Sequence, residues 1–548
     1  MDFKRVVKSA WSNGLAKKLL ILLGVSLIIF VIGVFLGSWV LGEKTLGWKG
    51  FLSGYVVFAV LFISVMINVF KSTAESMRKG EKHCDVHGHV LVLGAGHQLK
   101  SILRALKGDS RTIVVVSRRD IDGRFIHYKK DYESEEDLLF AGVLLASQIL
   151  VIGEDGPERD SRNLHCVEVL QSVCEKAPRD IHCHLLLTEP STSEVLWYLK
   201  SVEQDKGHLL VDVFNEYEFM SEQLLVGTDF LPAIREADNE RLHVVLIGTG
   251  PIAQAVAFSV VNICHYPNYK RTNLKTCITF VDEDCEKWVD RLVVSRMGLF
   301  RLSKYTYVDT NGNKVTHEPE TARGDYLDVE WNFVDAYCEA DLARNYIAGL
   351  AANPKERLVV CICKEDTSKA ISTLVHLPRA VYDKADIAVY WRESNDEIIK
   401  HINESGMYGY VRIMGDIDEM KEFVHSKRVE RGQRANYVHE RNTHPATRET
   451  EEKMWYRLSE ADKTAAIYCA NALPLRKRCF DVTDDDYLFR EAEHRRWMMS
   501  MLLMGYRSGP TDARTFTHQD IVPFDRLPEE LKSKDSYVLE NADYIMNG

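Results

Sequence analysis

The chain lacks an excess of positive charge. Its 548 residues include 69 Lys and Arg against 80 Asp and Glu, which gives a formal net charge of −11. Because nucleic acid polymers are bound through basic faces, this balance excludes a nucleic acid polymer as the principal partner. The chain is too long for a single hydrophobic core, so we expect three or four domains.

Recognisable catalytic motifs are also missing. There is no nucleophile elbow, no His-Glu-x-x-His pattern and no phosphate loop with Gly-Lys-Ser/Thr, so we do not expect an enzyme. The twelve Cys have no paired spacing. Several, such as Cys361 and Cys363, lie in apolar strand-like runs and are expected to be reduced core thiols in a cytosolic environment. His182, Cys183 and His184 cannot converge on one ion, because adjacent strand residues point to opposite faces, and we expect no metal.

Two long apolar runs stand near the start of the sequence. Residues 19–41 and 51–70 carry no formal charge, and each is long enough to cross about 30 Å of hydrocarbon as a helix. Basic residues precede the first run and follow the second, while the connector 42–50 carries few. The positive-inside rule therefore predicts a multi-pass protein of the inner (plasma) membrane with both termini in the cytoplasm.

The short connector limits what these two helices can form. A potassium selectivity filter with its pore helix needs some twenty or more residues, and residues 42–50 are too few. If the helices line a pore, several chains must contribute, with small and weakly polar residues such as Ser26 and Ser64 facing the lumen. The alternative is an anchor and dimerisation element, and the sequence leaves both open.

A strand that ends in a Gly-x-Gly turn and passes into a helix occurs twice. The first copy is VLVLGAGHQLKSI, with Gly94, Gly96 and His97 in the turn, and the second is VVLIGTGPIAQ, with Gly248 and Gly250. The first glycine permits a tight turn, and the second lets backbone N–H groups approach a phosphate at the helix N-terminus. We therefore predict two tandem Rossmann-like parallel-sheet domains.

The two copies differ where the second strand ends. In the first, the strand ends at Ser117 and Arg118, where NAD-binding folds usually carry an acid for the ribose hydroxyls. This basic strand end favours a ligand with an extra phosphate or a ligand unlike NAD. The alternative is that the basic side chains are a solvated surface pair and that the cleft beside them is empty. In the second, Asp282 ends the strand CITFVD and is placed to accept hydrogen bonds from a ribose, although the cleft could also be scaffold alone.

The first soluble unit resembles a known family. The stretch 125–155, with an Asp, an acidic helix start and Leu-x-x-Ala-Gly-Val-x-x-Ala before a strand, is similar to the regulator-of-potassium-conductance (RCK, or TrkA N-terminal) domain. Asp131 stands at that family's Gly-Asp pair, with Lys130 replacing the glycine. Asn163 and the run 213–225 are also similar, and the resemblance covers roughly residues 88–230. It implies a nucleotide-binding regulatory domain of ion transport.

The C-terminal part resembles a second family. Ala-Glu-His-x-Arg-Trp, a Gly-Tyr eight residues after that Trp, and a His followed by Val-Pro-Phe-x-x-Leu-Pro are similar to the ryanodine-receptor (RyR) repeat domain over about residues 453–546. On a helix, Glu493, Arg496 and Trp497 share a face, with His494 adjacent. With Tyr506 they form a candidate clamp for a nucleobase and its phosphates. The alternative places Trp497 in the core and leaves Glu493 and Arg496 as a solvated pair.

Together these features predict a membrane-anchored α/β protein that senses a nucleotide. The ligand would be NAD(H), an ADP-ribose-type molecule or a cyclic nucleotide, and the other partners would be membrane lipid and further copies in a homo-oligomer. We expect an oligomeric ligand-gated channel or pore-type effector; the alternatives are a non-channel regulator of a separate transporter and an NAD(P)-dependent enzyme. The predicted domains are two transmembrane helices in 1–80, Rossmann-like domains in 85–235 and 240–425, a linker in 426–452, and a mainly helical RyR-type domain in 453–548.

Overall fold

The structure is a computed structural model whose described residues form two compact units. The first unit comprises residues up to 99, 108–185 and 207–211, and the second comprises 100–107, 186–206 and 212–548. The described residues are 82–189, 192, 207–320, 325–391, 397–415, 420–445, 448–480, 486–532, 536–547 and scattered positions between 24 and 67.

The predicted transmembrane helices, 19–41 and 51–70, lie largely outside the described residues. Within the part of the chain that the structure describes, no helix combines the length and apolar character needed to cross a membrane. The two spans therefore stay a prediction from the sequence.

The first sheet has six strands in the order β3-β2-β1-β4-β5-β6. Strand β1 lies in the middle and pairs in parallel with β2 and β4, and its four residues are all buried because both faces of the sheet are covered. This is the strand order of a Rossmann fold, with the switch point between β1 and β4. The strands are β1 Val90–Leu93, β2 Ile113–Ser117, β3 Ile126–Lys129, β4 Gln148–Val151, β5 Ile181–Leu187 and β6 Leu209–Asn215.

The helices along this part of the chain are α1 Leu99–Ala105, α2 Glu135–Phe140, α3 Arg159–Cys174 and α4 Glu216–Leu225, with a 3-10 turn at Val143–Leu145. Helix α2 begins at Ser134, whose hydroxyl accepts a hydrogen bond from the Asp137 N–H. Helix α4 is capped in the same way by Asn215, whose side-chain oxygen accepts from Tyr217 and Glu218. Such caps satisfy N–H groups that have no partner within the helix.

The second sheet has eight strands in the order β10-β9-β11-β8-β7-β12-β13-β14. The antiparallel pair β9–β10 extends one edge, and the remaining six strands repeat the Rossmann order, with β7 in the middle between β8 and β12. The strands are β7 Arg241–Ile247, β8 Thr276–Asp282, β9 Lys304–Val308, β10 Lys314–His317, β11 Val329–Asp335, β12 Glu356–Ile362, β13 Asp386–Tyr390 and β14 Val411–Met414.

Helices cover this sheet and continue to the end of the described chain. They are α5 Pro251–Ile263, α6 Tyr269–Thr272, α7 Cys285–Ser295, α8 Met297–Phe300, α9 Asp341–Ala352, α10 Thr367–His376, α11 Arg379–Lys384, α12 Glu397–Ser405, α13 Met420–His425, α14 Lys427–Thr443, α15 Glu451–Trp455, α16 Glu460–Cys479, α17 Asp486–Leu503, α18 Glu529–Lys532, α19 Ser536–Glu540 and α20 Ala542–Asn547. A small pair, β15 Arg507–Ser508 and β16 Thr517–His518, and a 3-10 turn at Phe524–Arg526 follow α17.

The predicted linker 426–452 is instead largely helical. Helix α14 buries Val429, Ala435 and Val438, and a Cβ at Gly432 would stand 2.8 Å from Ile467 and Trp455. The glycine therefore lets α14 approach the C-terminal helices closely, as small residues do at tight helix contacts. The sequence leaves a linker or an exposed helix open for 426–452, and within it the structure describes a helix whose buried face consists largely of small and β-branched residues, which give a weak apolar signal.

The C-terminal helices do not form a separate compact unit. Residues of α17 such as Met498 and Leu502 share one hydrophobic core with β7 and α5 of the second sheet, including Val244 and Val260. The predicted boundary at residue 453 therefore does not separate two cores. All twelve cysteines are buried free thiols, as the sequence predicts.

A buried ion network joins α17 to the second sheet. Asp328, just before β11, accepts hydrogen bonds from Arg495 Nε at 3.0 Å and from His265 Nδ1 at 3.0 Å. All three side chains are nearly inaccessible to solvent. Burial would raise the pKa of Asp328, but attraction to His265 and Arg495 outweighs it and lowers the pKa from 3.8 to about 2.

Removing Arg495 is expected to destabilise the chain. Arg495→Met leaves Asp328 with only His265 as a buried partner, and breaking a buried ion pair costs about 3–5 kcal/mol of unfolding free energy. The control Lys304→Met removes a partly exposed contact with Glu318 and should cost less than about 1 kcal/mol. Denaturant unfolding of the purified chain measures both. Equal stability of the two variants would show that apolar packing alone holds α17.

The same network predicts a pH dependence. Because the folded-state pKa of Asp328 lies below its ordinary value of 3.8, the ionised group stabilises the fold fully above that value. This contribution is lost as the pH falls through about 2. The difference in unfolding free energy between wild type and Arg495→Met should therefore decrease as the pH is lowered from neutrality towards 3. A difference that is constant over this range would contradict the role of ionised Asp328.

Candidate functional site

In the first Gly-x-Gly turn, other groups of the protein fill the space beside the glycines and accept their hydrogen bonds. Gly94 has a φ of +97°, and a Cβ there would lie 2.3 Å from the carbonyl oxygen of Gly153, so only glycine fits. Gly153 follows β4, on the other side of the switch point. The Gly96 N–H, which could have faced a phosphate, donates to the Gly153 carbonyl at 2.8 Å.

The next donor of this turn is the backbone N–H of His97, and Asp155 accepts its hydrogen bond. Its carboxylate accepts from the His97 backbone N–H at 3.2 Å and lies 2.8 Å from His97 Nδ1. Burial would raise the pKa of Asp155, but the hydrogen bonds and charge of His97 outweigh it and lower the pKa. An aspartate of the protein thus stands at the donors that a phosphate would use.

The end of β2 is also engaged within the first unit. Glu154 accepts a hydrogen bond from the Ser117 hydroxyl at 3.0 Å and from the Arg118 N–H at 2.9 Å. The Arg118 guanidinium donates to Asp131 at 2.6 Å. Burial would raise the pKa of Asp131, but this hydrogen bond outweighs it and lowers the pKa. The predicted residues Ser117, Arg118 and Asp131 therefore do come together, but as partners of one another and of Glu154.

The second Gly-x-Gly turn has a different environment. Gly248 has a φ of +126°, and a Cβ there would lie 2.8 Å from the Cys363 carbonyl oxygen, so it packs tightly like Gly94. Gly250 precedes the thirteen-residue helix α5, and no heavy atom lies within 4 Å of where its Cβ would stand. The second turn therefore leaves open space at its second glycine, where a phosphate would approach.

Asp282 lies beside this open turn. One oxygen of its carboxylate accepts from the Thr249 hydroxyl at 2.8 Å, and the other accepts from the Glu283 N–H at 3.1 Å and pairs with the Lys364 ammonium. Lys364 follows β12, so the ion pair joins the two strands that flank β7. The carboxylate, the cation and the open glycine meet at the topological switch point of the sheet, where Rossmann folds hold their ligands.

Sequence reasoning did not identify Lys364, Glu154 or Asp155. Each lies two to four residues after a strand that pairs with the central strand of its sheet, and charged residues at the carboxyl ends of such strands point to the crevice. That position is the signal that could have found them. Their partners are 36 to 82 residues away along the chain, so no local pattern links them.

The candidate clamp of the C-terminal part is buried. Glu493 accepts from Arg496 at 2.8 Å and pairs with Arg476, so both carboxylate oxygens are occupied by arginines. Burial would raise the pKa of Glu493, but the two arginines outweigh it and lower the pKa to about 2. The interpretation of Glu493 and Arg496 as a solvated pair is wrong, because both are almost fully buried.

The other clamp residues also face the interior. His494 lies 2.8 Å from the Val522 carbonyl oxygen, and burial lowers the pKa of this imidazole to about 4. Its ring stacks on Trp497 with centroids 5.8 Å apart. Tyr506 is buried and packs edge-on against Phe516. His494 and Tyr506 are buried here, and Trp497 packs partly buried against the same core.

The chain carries two Rossmann folds. Solved structures with some likeness to it include GsuK bound to ADP (TM-score 0.36, 13% identity, 75% of this chain and 99% of that chain). Others are the GsuK channel bound to NAD (0.39, 12%, 77% and 85%) and the human SLO3 gating ring (0.38, 9%, 62% and 83%). No protein-family profile matches the chain, and no curated protein matches it.

The two glycines of the second turn are expected to respond differently to alanine. Gly248→Ala places a Cβ against Cys363 in a backbone conformation that side chains avoid, and should cost roughly 2 kcal/mol or more of unfolding free energy. Gly250→Ala meets no atom and should change the unfolding free energy by less than about 1 kcal/mol. Denaturant unfolding of both variants measures the difference. A large loss for Gly250→Ala would show that the turn is not open.

Proposed function

We propose that this protein is a nucleotide-sensing regulator whose second Rossmann cleft binds an adenosine-type nucleotide. The observation that carries the proposal is the open second glycine turn, Gly248 to Gly250, next to the Asp282 carboxylate and the Lys364 ammonium. A nucleotide needs donors for phosphate and an acceptor for ribose at this spacing, and the switch point of the second sheet supplies both.

Each group has a defined task in this proposal. The N-terminus of α5 provides a favourable dipole for the phosphate, and Gly250 lets the phosphate approach the backbone. Asp282 accepts hydrogen bonds from the ribose hydroxyls. Lys364, which neutralises Asp282 in the structure described here, supplies positive charge to the phosphates.

The first cleft has a structural role in this proposal. Asp155 and Glu154 satisfy the donors of the first turn and of the β2 end, so an incoming phosphate would have to displace two carboxylates. That exchange is unfavourable because the carboxylates are already paired in the native fold. A single nucleotide site for each chain follows, in the second cleft.

We further propose that the nucleotide controls a membrane process. The predicted spans 19–41 and 51–70 would anchor a homo-oligomer in the plasma membrane and form its ion pathway, with the RyR-like C-terminal part as a further regulatory element. Ligand occupancy would act through residues 71–88, the polar segment between the second predicted span and β1, provided that the ligand binds one arrangement of the chain more tightly than another. The role is one of binding and switching rather than catalysis.

Nucleotide binding is the first expected outcome. ADP or NAD at a hundredfold excess over its dissociation constant should stabilise the chain by about 2.7 kcal/mol. Asp282→Asn should weaken binding roughly tenfold or more, because a hydrogen bond to a charged group is lost. Lys364→Met should weaken ADP more than adenosine, which has no phosphate. Titration calorimetry on the purified full-length chain gives these constants.

The matched control lies in the first cleft. Asp131→Asn alters an acid of the first cleft, where it accepts a hydrogen bond from Arg118, and should leave the dissociation constant of ADP unchanged. Loss of binding in Asp131→Asn with retention in Asp282→Asn would move the site to the first cleft. If neither ADP nor NAD binds the wild-type chain, the nucleotide proposal fails.

The membrane role has a separate expected outcome. Full-length protein reconstituted in liposomes should pass ions when the nucleotide that binds is added, and a Gly250→Val variant, which blocks the phosphate approach, should not respond. Ion flux measured with a fluorescent indicator reports this. Nucleotide binding without flux would favour a regulator of a separate transporter, and nucleotide turnover by the purified chain would favour an enzyme.

A further inference from the structure

An exposed tyrosine stands beside the second cleft. Tyr337 follows strand β11 by two residues, and β11 pairs in parallel with β8 so that Asp335 lies opposite Asp282. Directly beyond that pair, the Ala336 N–H donates to the Asp282 carbonyl oxygen at 3.1 Å. The backbone that carries Tyr337 is therefore tied to the residue that the proposed function assigns to the ribose.

The ring of Tyr337 is held outside the core. Tyr337 is 61% exposed, whereas its neighbours Ala336 and Cys338 are buried. The Tyr337 carbonyl oxygen accepts from the Ala340 N–H at 3.0 Å, so the backbone is fixed in a turn just before α9. A large aromatic ring left in water forgoes the free energy of burial, and on a fixed backbone it offers a flat surface that a ligand can cover.

The hydroxyl group of Tyr337 is directed to the end of β8. It donates a hydrogen bond to the Glu283 carboxylate, which raises the pKa of this phenol. Glu283 is the residue after Asp282, the last residue of β8. The ring therefore extends from the end of β11 to the end of β8, along the edge of the sheet where Rossmann folds hold their ligands.

The charges around the cleft set the direction in which a nucleotide would lie. Asp282, Glu283 and Asp284 are consecutive acids at the end of β8, and the last two are exposed. Lys364 lies on the other side of β7, after β12, and Gly250 caps α5. Phosphates are repelled by the acids and attracted by the lysine and the helix N-terminus, so they belong on the β7–β12 side. The uncharged base then lies on the β8–β11 side.

The width of the sheet fits this direction. Strand β7 carries the glycine turn, and β8 separates it from β11. Two strand spacings, about 10 Å in all, therefore lie between the phosphate position and the strand that precedes Tyr337. This span is comparable to the reach of a nucleoside diphosphate from its phosphates to its base.

We propose that the ring of Tyr337 is the surface on which the base of the bound nucleotide stacks, and that the second cleft thereby selects purine nucleotides. This inference rests on the proposed nucleotide function of the same cleft and adds the recognition of the base to that of ribose and phosphate. Stacking tolerates different bases because each has a π face, and a purine presents a larger face than a pyrimidine. ADP and GDP should therefore bind comparably, and UDP more weakly.

Substitutions of Tyr337 in the purified full-length chain test the stacking. Tyr337→Ala should weaken ADP binding roughly tenfold or more, because the contact of the base with an aromatic ring is lost. Tyr337→Phe keeps the ring and should bind ADP within about threefold of wild type, and Tyr337→Trp should bind ADP at least as tightly as wild type. Titration calorimetry gives each dissociation constant.

UDP separates stacking from a general disturbance of the cleft. It carries the same ribose and diphosphate as ADP but a smaller ring, so Tyr337→Ala should weaken UDP less and bring the two dissociation constants closer together. Tyr410→Ala is the matched control, since it removes a 71% exposed tyrosine next to β14, and it should change neither constant. Thermal melting checks that each variant folds.

Three results would overturn the stacking role. These are an unchanged dissociation constant of ADP in Tyr337→Ala, an equal loss of ADP and UDP affinity in that variant, and a loss in Tyr337→Phe as large as that in Tyr337→Ala. If ADP binds the wild-type chain and one of these is found, the proposed nucleotide function stands without the stack. If the wild-type chain binds neither ADP nor NAD, the proposed function fails and the stacking role fails with it.

Discussion

The arrangement of the second unit depends on polar groups buried between α17 and the Rossmann sheet. Arg495 reaches Asp328, and Ser500 donates to Asn262 of α5 at 2.7 Å. Apolar surfaces could slide over one another with little loss, but buried polar groups have few acceptable partners and fix the register of the contact. These contacts set how the C-terminal helices meet α5 and the strands beneath it.

The two Rossmann folds share a strand order but treat their glycine turns differently. In the first, the chain supplies its own carbonyl and carboxylate to the turn, and in the second it leaves space at Gly250. The difference arises after the strand across the switch point, where the first copy has Glu154 and Asp155 after β4 and the second has Lys364 and Glu365 after β12. In the first copy acids accept from the donors that a phosphate would use, whereas Lys364 places a positive charge beside the second turn. The same fold therefore carries two glycine turns in different electrostatic environments.

Much of this architecture is predictable from local patterns. Apolar runs that end in Gly-x-Gly predict both central strands and their turns, and CITFVD places Asp282 at the end of β8, as found. The hairpin β9–β10 went unpredicted because β10 is exposed along its whole length and has no apolar alternation to signal it.

Contacts between residues that lie far apart in the sequence could not be predicted from local sequence patterns. A helical wheel shows that Glu493 and Arg496 share a face, but only the fold brings Arg476 to them and buries all three. Glu493 and His494, two residues of the candidate clamp, are buried for this reason, and Trp497 packs partly buried beside them, in line with the alternative that places it in the core. The buried face of helix α14 was not predicted because its packing depends on Gly432 and Ala435, whose small side chains contribute close approach rather than apolar bulk.

The twelve buried thiols have a practical consequence for following this protein in solution. They are distributed over both Rossmann folds and the C-terminal helices, and burial raises the pKa of several, such as Cys361 to about 12. A neutral, buried thiol reacts slowly with alkylating reagents, so modification reports the opening of the segment that carries it. The chain thus contains built-in labels whose order of reaction would map which parts of it open first.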